Sequence, residues 1–112
     1  MKIEGEGQLV RIFIGQGDQF NGKPLYSEII RIAREQGIAG ATVLRGVIGY
    51  GANSLIHQSK AGTPDTDMPL VIEIVDKHEK IVKFLPALDL MVKEGLITVE
   101  RVHIQMYRGR CH

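Results

Sequence analysis

With 112 residues the chain has room for one domain and one core, and enough uncovered surface that an oligomer would help to bury it. Fourteen basic and thirteen acidic residues leave a formal charge of +1, which gives no global reason to bind nucleic acid or an anionic membrane. No apolar run approaches the ~18 residues needed to cross a bilayer, so direct membrane insertion is not expected. No signal-peptide core follows Met1, and the single Cys111 excludes an intrachain disulfide framework. A cytoplasmic location is the expectation.

The first strand is predicted over residues 9–14, where β-branched and aromatic side chains run up to Gly15. Asn21-Gly22-Lys23-Pro24 is turn chemistry, with the proline suited to a first helical position. Leu25, Ile29 and Ile32 then recur at helical spacing, and Gly37 stands where a helix C-cap belongs. A second strand is predicted over 41–48, weakened by its glycines. A polar stretch leads to a third strand over 70–75. Asp76 and Glu79 have capping-box spacing ahead of a second helix, whose apolar face is Ile81, Phe84, Leu85, Leu88 and Val92. Pro86 lies inside that helix and is expected to kink or divide it, since it has no N–H for the Val82 carbonyl. Gly95 is expected to end the helix, and 97–107 to form the last strand.

The order is β-α-β, loop, β-α-β. Glu35-Gln36-Gly37 before Thr42-Val43-Leu44-Arg45 is echoed by Lys93-Glu94-Gly95 before Thr98-Val99-Glu100-Arg101. Two right-handed β-α-β units interleave into one antiparallel sheet with both helices on one face, so the predicted fold is α+β, a ferredoxin-like split β-α-β sandwich. Both faces of the strands are apolar, however. Val10, Ile12 and Ile14 make one face of the first strand, while Leu9 and Phe13 flank Arg11 on the other. Val71 and Val75 likewise flank Glu73. An exposed sheet face is normally polar, so further copies are expected to cover this one, with Arg11 and Glu73 pairing inside the assembly.

The connection over residues 51–67 is the most informative segment, because helix-free connections of that length in compact domains tend to serve a function. Asn53, Ser54, His57 and Lys60 suit a mobile partner-binding arm. At its root, Gly46, Gly49 and Gly51 would let backbone N–H groups approach an anionic or planar ligand, and Arg45 could meet a phosphate. The stretch is neither a Walker loop nor a dinucleotide fingerprint. His57, His78, His103 and His112 lack metal-site spacing, and Cys111 beside His112 lies on a ragged tail, so no metal is expected. Nothing supplies a nucleophile with its base, and no enzyme is expected.

Gly40-Ala41-Thr42-Val43, then Gly49-Tyr50-Gly51 and a long loop, resembles the segment that precedes the T-loop of PII signalling proteins. Four further stretches resemble a PII-related family, domain of unknown function 190. They are Arg11-Ile12-Phe13-Ile14-Gly15, Gly22-Lys23-Pro24-Leu25-Tyr26, Gly40-Ala41-Thr42-Val43-Leu44-Arg45-Gly46 and 69–76. The resemblance implies one PII-like domain over 1–112, with an ordered core of about 8–107 and residues 51–67 as a T-loop-like arm. It implies a homotrimeric signalling protein whose open sheet faces meet around a threefold axis, with an adenine nucleotide as small-molecule effector in the intersubunit cleft. Thr42, Gly46, Gly49, Tyr50 and Gly51 are the residues carried over, joined by Arg101 and Arg108 on the last strand. The family's company implies a membrane transporter or channel as partner. One departure matters: Lys93-Glu94-Gly95-Leu96-Ile97 is shorter than the phosphate-gripping loop of PII proteins, which favours a smaller or different ligand. The alternatives are a divalent-metal trimer similar to cation-tolerance proteins, and an assembly module without a ligand.

Overall fold

The structure, a computed structural model, describes residues 2–51, 57–58 and 68–109. Its first half comprises β1 (Lys2–Gly15), the short β2 (Gln19–Phe20) and β3 (Lys23–Pro24), α1 (Leu25–Glu35) and β4 (Gly40–Arg45). Then come the short β5 (Ile48–Gly49) and β6 (His57–Gln58), followed by β7 (Pro69–Asp76), α2 (His78–Met91) and β8 (Leu96–Arg108). The main sheet has the order β4-β7-β1-β8, and each neighbouring pair is antiparallel. The central strands β1 and β7 thus come from different halves, which is the interleaving expected of a ferredoxin-like α+β fold. Both helices pack on one side of it.

Registered partners share a face, so the core can be read from the pairing. Val10 faces Ile74, Ile12 faces Ile72, and Ile14 faces Leu70. All six are buried beneath Leu25, Ile29 and Ala33 of α1 and Ile81, Phe84, Leu88 and Met91 of α2. Met91 takes the position that helical periodicity had given to Val92, which is instead the C-cap residue.

The entry to α1 is a two-residue turn between β2 and β3, with Asn21 at φ 52° and Gly22 at φ 77°. Both angles are left-handed, which is why Asn-Gly is favoured there. Pro24 is the N-cap, extended at ψ 127°, rather than the first helical residue, and the helix starts at Leu25. At the other end the Gly37 N–H donates to the Arg34 carbonyl (3.0 Å) and the Ile38 N–H to the Ala33 carbonyl (3.0 Å). These two bonds, with Gly37 at φ 74°, make a Schellman stop.

The start of α2 differs from the expectation. Lys77 is the N-cap and makes no side-chain capping bond. Asp76 is the last residue of β7 and points with Ile72 and Ile74 to the helix side, where it is buried. Its carboxylate accepts the Ala39 N–H at 2.9 Å and the Lys77 N–H at 2.6 Å, so it ties the α1–β4 turn to the sheet instead of boxing with Glu79. Pro86 does not divide α2, which is helical from His78 to Met91. Val82 and Pro86 are both exposed, so water can take the carbonyl that proline leaves without a donor. The helix stops four residues before Gly95. That glycine belongs to the turn into β8, where a Cβ would lie 2.7 Å from the Phe13 carbonyl oxygen.

The outer strands also extend or break beyond their sequence patterns. β1 and β8 continue past β7 as a two-stranded ribbon, with a register shift between Ile3 and Gly5, where Gly5 takes φ 95°. Close packing explains Gly7 in that ribbon: a Cβ there would run into Ile104 Cδ1. The ribbon folds back far enough for the Tyr107 hydroxyl to donate to the Ala39 carbonyl at 2.9 Å. The strand expected over 41–48 is interrupted after Arg45, where the Gly46 N–H turns to the Pro69 carbonyl at 2.7 Å.

Candidate ligand site at the sheet edges

The root of the 51–67 connection is stitched to the start of β7. Besides the Gly46–Pro69 bond, the Gln16 N–H donates to the carbonyl of buried Met68 at 2.8 Å. β5 pairs with β6, Gly49 opposite His57, so the connection leaves the domain as a short ribbon. A Cβ at Gly46 would sit 3.0 Å from Pro69 Cγ, and one at Gly49 would sit 3.4 Å away. Contact with the proline ring therefore accounts for Gly46 inside the chain, and Gly49 also packs against that ring. Gly51 is different: nothing lies within 4 Å of its would-be Cβ, and its φ is not positive. Beside it, Tyr50 presents an aromatic face that is 72% exposed.

Thr42 is exposed on the open face of β4, opposite Glu73, and Arg45 closes that strand opposite Leu70. Arg101 and Arg108 lie on β8, opposite Gln8 and Lys2. Since β4 and β8 are the two outer strands of the sheet, one chain does not bring these residues together. The Thr42–Gly51 group stands at one edge, and the two arginines stand at the other. Asn53, Ser54 and Lys60 lie outside the described residues, as do Cys111 and His112. Among the described residues no group of three or more His, Cys, Asp or Glu side chains is placed to hold a metal ion.

The open face that joins the two edges carries an ion-pair cluster only partly visible in sequence. Arg11 Nε donates to Glu73 Oε2 at 3.0 Å, and Arg11 Nη1 donates to Glu100 Oε1 at 2.6 Å. The Arg11–Glu73 pair was expected inside an assembly; it forms within the chain, because the two residues are direct register partners. Glu100 was not foreseen, although its alternation with Leu96 and Thr98 places it on the same face. The hydrogen bond to Glu73, foremost, raises the Arg11 pKa further, so the guanidinium stays charged. Flanking the cluster on one side are Leu9 and Val75, and on the other an apolar row of Leu44, Val71, Phe13 and Leu96 crosses all four strands.

The helix side offers less. A shallow cavity of about 160 Å³, lined by Asp18, Gln19, Leu25, Met91, Lys93 and Glu94, falls below the ~300 Å³ usual for small-molecule sites. Among the described residues no helix is long and apolar enough to cross a membrane.

Comparisons with known proteins agree with the fold. The model of the DUF190 family, described as an uncharacterised ACR, matches residues 7–104. A UPF0166 protein of Aquifex aeolicus is 39% identical over 97 residues, covering 87% of this chain and 91% of the relative. A UPF0166 protein of Methanocaldococcus jannaschii is 32% identical over 108 residues, covering 96% and 97%. Among solved structures, a PII-like signalling protein of Thermus thermophilus superposes with TM-score 0.64 at 16% identity, over 90% of this chain and 91% of the other. CPII, a nitrogen regulatory PII-like protein of Thiomonas intermedia bound to ADP, AMP and bicarbonate, gives TM-score 0.63 at 13% identity, over 88% of each chain. At such identities these two structures establish the PII-like fold alone.

Proposed function

The chain belongs to the DUF190 family, and from that premise we propose that it is a non-enzymatic, PII-like regulator assembled as a homotrimer in the cytoplasm. Residues 1–112 form one PII-like domain. A small molecule, with an adenine nucleotide as first candidate, binds between copies, and residues 51–67 relay its presence to a partner protein. A membrane transporter or channel is the class of partner the family resemblance favours.

One observation carries this reading: the candidate residues are divided between the two outer edges of a sheet whose open face carries an apolar row beside its ion-pair cluster. β4 and β8 run antiparallel to each other, so the β8 edge of one copy beside the β4 edge of the next preserves the alternation of the sheet. That contact is heterologous, and three of them close a ring. The open faces, with Phe13, Leu44, Val71 and Leu96, then meet inside it. Each cleft combines Thr42, Arg45, Gly46, Gly49, Tyr50 and Gly51 of one copy with Arg101 and Arg108 of its neighbour. The exposed Tyr50 ring offers a base a stacking surface, Gly51 leaves room for close approach, and the arginines offer phosphate contacts. A ligand that contacts the ribbon root at Gly49 would bias the connection, because binding shifts a conformational equilibrium only through contacts made in one of its states. Nucleotides are the first candidates because CPII, of the same fold, holds ADP and AMP.

Isothermal titration with ATP, ADP, AMP and cyclic AMP tests the reading. A saturable heat with at least one of them, approaching one site per chain, is the expected result. Silence with all four, together with an unmoved thermal transition, would refute the nucleotide version.

A further inference from the structure

The open face is layered in rows that cross all four strands of the sheet. The row of Leu44, Val71, Phe13 and Leu96 is wholly apolar. Two residues further along each strand, the row of Thr42, Glu73, Arg11 and Thr98 is wholly polar. Its guanidinium bonds Glu73 within the row at 3.0 Å and reaches diagonally to Glu100 at 2.6 Å. Strand alternation does not require this difference, because residues two apart on a strand face the same way. Nor does the helix-side core require it, since Arg11, Glu73 and Glu100 all lie outside that core.

We propose that the polar row is the register element of the assembly: it holds the copies at one height, so that the ring closes instead of climbing into an open spiral. The inference rests on the proposed packing of open faces inside a ring of copies. A ring closed through its strand edges has its axis near the strand direction, and cyclic symmetry sets equivalent residues of all copies at one height. Polar row then meets polar row in one layer, and apolar row meets apolar row in the next. A copy slipped by two residues, about 6.8 Å along the strand, keeps its edge hydrogen bonds and its side-chain alternation. That slip sets the Phe13 row of one copy against Arg11 and Glu73 of the next, where the charged groups lose water and gain no polar neighbour. Edge pairing alone thus permits the slip, and the polar row opposes it. A head-to-tail contact closes into a ring only without such a climb and otherwise continues as a filament. Fixing register is the use for which a polar group in an apolar interface is best attested.

Arg11→Met, Glu73→Met and Glu100→Met together make the polar row as apolar as its neighbour. Native mass spectrometry of the full chain, at low and at high protein concentration, reads the outcome. The parent is expected as one closed species of three copies at both concentrations. The methionine variant is expected to associate as readily but to lose that single species, giving masses beyond three copies that grow with concentration. Glutamine at the same three positions keeps the row polar, and that variant is expected to keep the closed species. Far-UV circular dichroism checks that each variant is folded. If the methionine set does not fold, Arg11→Leu with Glu73→Val and Glu100→Val repeats the test with side chains that strands favour. An apolar variant that remains one closed species of three copies overturns the inference alone, as does a glutamine variant that spreads like the apolar one. A parent with no closed species at either concentration overturns the packing of open faces and the inference with it.

Discussion

Replacing Phe84 with alanine is expected to remove about 3–5 kcal/mol of stability, a large share of the 5–15 kcal/mol typical of a domain. Phe84 is fully buried on the α2 face, between Ile81 and Leu88, and belongs to one core cluster with Val10, Ile12, Ile72 and Ile74 of the sheet. Truncation loses the transfer free energy of the ring and leaves a cavity. The α2 backbone cannot easily settle into that cavity, because Ile81, Leu88 and Met91 hold the helix to the sheet on either side. Urea unfolding checks this: the midpoint should fall with the slope nearly unchanged, the signature of lost packing rather than a changed unfolded state. A loss under about 1 kcal/mol would mean that the α2 layer is not the core described above.

The second large effect is on association. Phe13→Glu is expected to convert the proposed trimer to monomers while the chain stays folded. Phe13 lies on the open face in the row with Leu44, Val71 and Leu96, and it is partly exposed, so the single chain tolerates a charge there. An assembly that buries the row must desolvate three new carboxylates near one another, which costs several kcal/mol per ion. Sedimentation should show a single species of monomer mass, and far-UV circular dichroism should keep the parent's shape. A Phe13→Glu protein that sediments like the parent oligomer would remove the open face from the interface.

Alternation at Val10, Ile12, Ile14 and Leu70, Ile72, Ile74, with the helical stripes at Ile29 and Phe84, was enough to read the ferredoxin-like fold. What stayed hidden were events decided by distant partners. Asp76 has capping-box spacing to Glu79, yet the Ala39 N–H, brought close only by folding, claims its carboxylate. Gly46 breaks its strand because Pro69, from the far side of the long connection, supplies the carbonyl it bonds. Gly5 and Gly7 interrupt the alternation of β1, and so concealed the ribbon that β1 shares with β8. Of the candidate site, the residue types at the loop root were legible from Gly46 to Gly51. Their separation from Arg101 and Arg108 was not, because only strand order makes β4 and β8 opposite edges.

Two variants, Tyr50→Ala at the β4 end of the cleft and Arg101→Ala at the β8 end, each damage every site of a pure trimer. If each cleft is built from two copies, unfolding and refolding the two variants together must create some clefts with Tyr50 from one chain and Arg101 from its neighbour. Titration with ADP is then predicted to recover in the mixture part of the heat that both pure variants have lost. A mixture that binds ADP no better than its components, or variants that bind it as well as the parent, would contradict a ligand held between copies.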